Sequence, residues 1–75
     1  MQDPLDYIPF SDILKHGDPA NWKYHGRKSV AAKTVNAPPL TLKVYEYYED
    51  EFGDLMEIHY FRHSDGTVSN VKVVS

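Results

Sequence analysis

The C-terminal half of this chain has little freedom in how it folds. Leu40 to Glu49, Leu55 to His63 and Thr67 to Ser75 are rich in β-branched and aromatic residues that alternate with polar ones, the pattern of half-buried strands. The acidic loop Asp50-Glu51-Phe52-Gly53-Asp54 separates the first two, and Ser64-Asp65-Gly66 separates the last two. Asp-Gly between alternating runs predicts a type I′ hairpin, because that turn needs φ > 0 at both central residues. Such a turn sets Ser64 opposite Thr67, Tyr60 opposite Val71, Ile58 opposite Val73 and His59 opposite Lys72. Apolar then meets apolar on one face, as a consistent register demands.

The N-terminal half supplies the cover. Phe10 to Gly17 predicts a short helix, with Ser11 as N-cap and Gly17 as the C-terminal stop. Asp18-Pro19-Ala20-Asn21-Trp22 predicts a further helical turn capped by Asp18, with Pro19 at its first position. Ile8, Phe10, Ile13, Leu14 and Trp22 are the expected apolar cover for the sheet. Gly26 breaks the pattern, Ser29 to Val35 is the candidate for a fourth strand, and Asn36-Ala37-Pro38-Pro39 is an extended linker. The expected fold is one α+β domain over residues 1–75. Residues 1–27 form its helical or irregular part, and residues 28–75 an antiparallel meander of three to four strands.

Size and composition narrow the function classes. A chain of 75 residues buries only about 60% of its unfolded surface, so a site belongs on a sheet face, a groove or an edge. No apolar run is long enough to span a membrane. The absence of cysteine removes disulfides and thiol chemistry. A soluble protein is expected, in the cytoplasm before the exterior. The net charge of −3 argues against general nucleic-acid binding. It conceals a basic stretch, however: Lys15, Lys23, Arg27, Lys28, Lys33 and Lys43 stand against Asp18 alone between acidic ends.

The polar sheet face carries the functional argument. Thr41, Lys43, Tyr45 and Tyr47 share it with Glu57, His59, Phe61 and His63, and with Asn70 and Lys72. Pairing Val44 with Ile58 or with Tyr60 puts either Lys43 or Tyr45 beside His59, where cross-strand Cβ atoms lie about 4.5–5.5 Å apart. A histidine among lysines, with a carboxylate near, suits acid–base work on a phosphodiester. On that reading the chain is a metal-independent ribonuclease, with His59, Lys72, Lys43 and Tyr45 as catalytic candidates. His59 and His63 lie about 13 Å apart along one strand, too far to share one phosphate directly. Tyr45, Tyr47, Phe61, His63 and Asn70 are the candidates for a binding face, since contiguous exposed aromatic surface marks interfaces. The plain alternative is a solvated face of ordinary polar pairs, or one covered by Trp22 and Tyr24. No compact metal-ligand spacing is present among His16, His25, His59 and His63, so neither a metal nor another cofactor is expected.

A short helical N-terminus before an antiparallel four-stranded sheet bearing His, Lys and Tyr resembles the general plan of small bacterial endoribonuclease toxins of the barnase and colicin type. The resemblance covers about the last 45 residues, and the acidic balance departs from those basic nucleases. It implies RNA as a substrate class. The leading reading from the residues is a protein-interaction module of inhibitor, immunity or adaptor type. It would bind a protein partner through the aromatic/His face or the C-terminal edge strand, where a homodimer could also form. Ribonuclease activity on RNA is the second reading, and a membrane role is not expected.

Overall fold

The computed structural model describes residues 1–32 and 39–75. Four strands, β1 (Lys23–Ala31), β2 (Leu42–Glu49), β3 (Leu55–Arg62) and β4 (Val68–Val74), form a single antiparallel sheet in the order β1-β2-β3-β4. A 3-10 turn at Pro4–Tyr7, helix α1 (Phe10–His16) and a second 3-10 turn at Pro19–Asn21 precede it. This is the expected α+β meander.

The N-terminal segment covers one sheet face. Ile8 and Trp22 are buried with Val44 and Tyr48 of β2 and Met56, Ile58 and Tyr60 of β3, and Leu5, Ile13, Val71 and Val73 pack around them. The second 3-10 turn begins as expected, Asp18 accepting from the Ala20 amide, and the first, not anticipated, begins the same way, Asp3 accepting from the Leu5 amide. Helix α1 departs from its prediction. Its N-cap is Pro9, with no side-chain cap, and Ser11 lies inside the helix. Gly17 ends it as expected at φ 84, its amide donating to Ile13 O, and a side chain there would run into Glu51. Phe10 and Leu14, expected in the core, are 71% and 69% exposed. They stand four residues apart on one helix face, and Ile13 is the residue that turns inward.

Strand β1 begins at Lys23, so residues 23–27 belong to the sheet and not to the irregular part. The glycine read as a breaker instead makes a bulge. Pairing slips between Tyr24 and Gly26, which has φ 130, a role glycine takes readily in a strand. The expected strand residues Lys33 to Val35, and the linker as far as Pro38, lie outside the described residues. Leu40, expected at the start of the first meander strand, is instead exposed in a turn at φ 62 before β2 begins.

The β3–β4 hairpin differs from its prediction in one place and compensates in another. Asp65 does not have positive φ, so the turn is not type I′. His63 N donates to Thr67 O and Gly66 N to His63 O, which makes a three-residue loop with Gly66 at φ 87. Phe61 therefore pairs with Ser69 and Arg62 with Val68. Asn70, at φ 53, then supplies a bulge in β4 opposite Tyr60, after which His59 meets Lys72 and Ile58 meets Val73. The expected central pairs are recovered because two irregularities cancel.

The buried polar residues Glu46, His16 and Asp50 were not legible as core. Glu46 accepts hydrogen bonds from Tyr48 Oη at 2.7 Å and Tyr60 Oη at 2.6 Å. His16 Nδ1 pairs with Asp50 Oδ2 at 2.8 Å, and its backbone carbonyl accepts the Trp22 indole N–H at 3.0 Å. Each group faces inward because the sheet period or the helix end places it there, and each except the His16 Nε2 has a partner.

Candidate functional site

The face opposite the N-terminal cover is open, since Trp22 is buried on the other side against Tyr48 and Tyr24 stands exposed at the β1 end. Across its middle, direct pairing sets Lys28 of β1 beside Tyr45, Tyr45 beside His59 and His59 beside Lys72. Four strands thus contribute one row. Val44 pairs with Tyr60, which resolves the choice left by the sequence in favour of Tyr45 as the neighbour of His59.

The row is held by its own contacts. The Tyr45 and His59 rings meet edge to face with centroids 4.6 Å apart. Lys28 Nζ sits 5.6 Å and Lys43 Nζ 6.0 Å from the Tyr45 ring centre, and Lys43 Nζ lies 4.5 Å over Phe61. Cations above aromatic faces are attracted to them electrostatically, and the lysine stems cover apolar ring surface. Partial burial, together with the Lys72 charge, holds the Lys43 ammonium below the usual lysine range. His59 is only 17% exposed and its Nε2 lies 3.0 Å from Glu57 Oε1, the partner two residues away on the same strand.

Two predicted site residues play other parts. Both ring nitrogens of His63 are engaged, Nδ1 with Thr41 Oγ1 at 3.2 Å and Nε2 with Ser69 Oγ at 2.8 Å, so His63 ties β3 to the segment before β2 and to β4. Asn70 does not join the polar face beside Lys72. It is the bulge residue, and Ser69 takes the place next to Phe61. Tyr48, next in the chain to Tyr47, points the other way and is a core residue.

The end of the face nearest the acidic loop is apolar. Tyr47, Leu55 and Val74, with Glu57 and His25, line a cleft of about 430 Å³, and Leu55 is 74% exposed there. Neither Lys28 nor this cleft was legible in advance. Lys28 joins the row only through the β1 register after the Gly26 bulge, and Leu55 meets Val74 only through the pairing of Glu57 with Val74. Among the described residues no three His, Asp or Glu side chains come together in a way that could hold a metal ion, and no helix is long and apolar enough to cross a membrane.

This arrangement, a four-stranded antiparallel meander with one face capped and the other bearing a cationic aromatic row, defines the class of architecture. Compared with known proteins, the chain matches no protein family, no curated protein and no solved structure.

Proposed function

We propose that this protein is a binding module that engages a protein partner through the open sheet face. The observation that carries this reading is the apolar cleft of Tyr47, Leu55 and Val74 adjoining the row of Lys28, Tyr45, His59 and Lys72, with Lys43 beside it. An apolar patch adjoining aromatic and charged side chains has the composition of a protein interface. Tyr45 and Phe61 are already held in place by a neighbouring ring or lysine, so binding orders them little further. The cationic row does not suit the basic partner that the acidic overall charge suggests. This face complements an acidic one.

Immobilised wild-type protein and its Tyr45→Ala, Tyr47→Ala and His59→Ala variants, each checked for folding by circular dichroism, test this reading. A partner retained by wild type and by His59→Ala, but bound at least about tenfold more weakly by Tyr47→Ala, is the expected result. Equal retention by every folded variant would place the interface elsewhere.

One observation favours a second reading. Tyr45, His59 and Lys72 are direct cross-strand neighbours, Glu57 is bonded to the His59 ring, and Lys43 stands over the adjoining rings. In a metal-independent ribonuclease His59 would move the proton, with Glu57 orienting the ring, and the lysines would stabilise charge on the phosphorane. Mixed tRNA and mRNA incubated with the protein in EDTA is the assay. On this reading wild type cleaves and His59→Ala loses about 10²–10⁴-fold. Intact RNA with both proteins folded, or equal cleavage by both, sinks it.

A further inference from the structure

The acidic loop between β2 and β3 is unusually well fixed for a loop that displays an aromatic ring. Asp50 Oδ1 accepts from the amides of Phe52 at 2.8 Å and Asp54 at 2.9 Å. Asp50 N donates to Asp54 O and Gly53 N to Asp50 O, and Gly53 takes φ 88. The loop is also bolted to the N-terminal cover. His16 Nδ1 meets Asp50 Oδ2, Glu51 N donates to His16 O, and Glu51 accepts from Asn21 Nδ2 at 2.7 Å. The His16 hydrogen bond, with those of the two amides, holds the Asp50 carboxyl below the usual carboxylate range. The outcome is a rigid tip on which Phe52 is 65% exposed, flanked by the exposed Glu51 and Asp54. A preorganised exposed aromatic loses little entropy on burial, which is what an interface anchor requires.

The chain also carries a receptor of matching chemistry. At the same end of the sheet lies the apolar cleft of Tyr47, Leu55 and Val74, and beyond it the ammonium groups of Lys28, Lys43 and Lys72. We infer that two copies of this chain associate about a twofold axis, the Phe52 tip of each entering the cleft of the other while Asp54 faces the partner's lysines. A reciprocal contact of this kind closes on itself and forms a dimer instead of a filament. A stable dimer buries about 800 Å² per partner, roughly one-sixth of the 4950 Å² that each copy exposes. The inference rests on the open face being a protein-binding surface, and it names a second copy as one occupant.

Sedimentation velocity on the full chain, from micromolar to millimolar concentration at low and high salt, tests it. Wild type dimerises and dissociates as salt rises, because the charge contacts are screened. Phe52→Ser weakens the dimer about thirtyfold or more. The charge variants Lys28→Glu/Lys72→Glu and Asp54→Lys are each monomeric, since each sets like charges across the contact. Mixing these two restores a dimer, because both reciprocal contacts are then of opposite sign. All these side chains are exposed, and circular dichroism confirms that each variant is folded. A wild type that stays monomeric at millimolar concentration overturns the inference and leaves the reading of the face as a site for another protein standing. A dimer indifferent to Phe52→Ser, or charge variants that fail to pair when mixed, overturns it as well.

Discussion

Trp22→Ala is expected to destabilise the protein by about 3–5 kcal/mol, the range for truncating a buried large aromatic. A domain of this size has only about 4–11 kcal/mol in total, at 0.05–0.15 kcal/mol per residue, so the variant is at or near the limit of folding. Trp22 joins the two layers. Its ring lies 5.9 Å from the Tyr48 ring and 6.4 Å from the His16 ring, and its N–H donates to the His16 carbonyl. Truncation opens a cavity between the sheet and the segment that covers it. Trp22→Phe keeps most of the ring, and the lost hydrogen bond costs about 1 kcal/mol. The His16 carbonyl still accepts from the Glu51 amide. Phe10→Ala and Leu14→Ala, at exposed positions, change stability by no more than about 0.5 kcal/mol. Urea unfolding of the four variants checks the ranking. Equal losses for Phe10→Ala and Trp22→Ala would mean that the face of α1 assigned to solvent is wrong.

Glu46→Leu is the second large effect. It leaves the buried hydroxyls of Tyr48 and Tyr60 without their acceptor, and each orphaned donor costs about 1–3 kcal/mol. Adding Tyr48→Phe and Tyr60→Phe removes the orphaned groups, so the triple variant regains a large part of the loss. That non-additivity identifies a hydrogen-bonded unit. The same unit governs stability in alkali. Burial, with the hydrogen bond to Glu46 and its charge, pushes the Tyr60 phenol up to about 12 from an ordinary 10.0 and raises Tyr48 further. A raised folded pKa means that the stabilisation is complete below pH 10 and is lost as the pH climbs from there towards 12 for Tyr60. Ultraviolet titration at the phenolate band, followed alongside circular dichroism, should show these two phenols ionising together with unfolding. Ionisation of all six tyrosines at ordinary pKa in a protein that stays folded would contradict the buried unit.

Local pattern sufficed where the physics is local. Alternation in β2 and β3 assigned Val44, Met56, Ile58 and Tyr60 to one face and Lys43, Tyr45, His59 and Phe61 to the other, because side chains alternate with period two whatever lies beside the strand. Asp18 and Pro19 marked their turn for the same reason: the cap is made by residues two apart.

What depends on a distant segment was decided only by the tertiary structure. Gly26 reads as a breaker until β2 lies alongside and turns it into a bulge, which brings Lys28 to Tyr45. Asn70 reads as a polar strand residue until the three-residue turn displaces the register by one and its left-handed backbone restores it. His63 reads as a free ring until Thr41 and Ser69 close on both of its nitrogens. Phe10 and Ile13 are equivalent in composition, and only docking of α1 on the sheet chooses between them. The sequence by itself therefore determined β2, β3 and β4 as strands, the two faces of β2 and β3, and the residue types of the site, because each follows from spacing along one segment. Which of those residues touch, and which face stays open, follow from packing between segments, whose free energy no single segment contains.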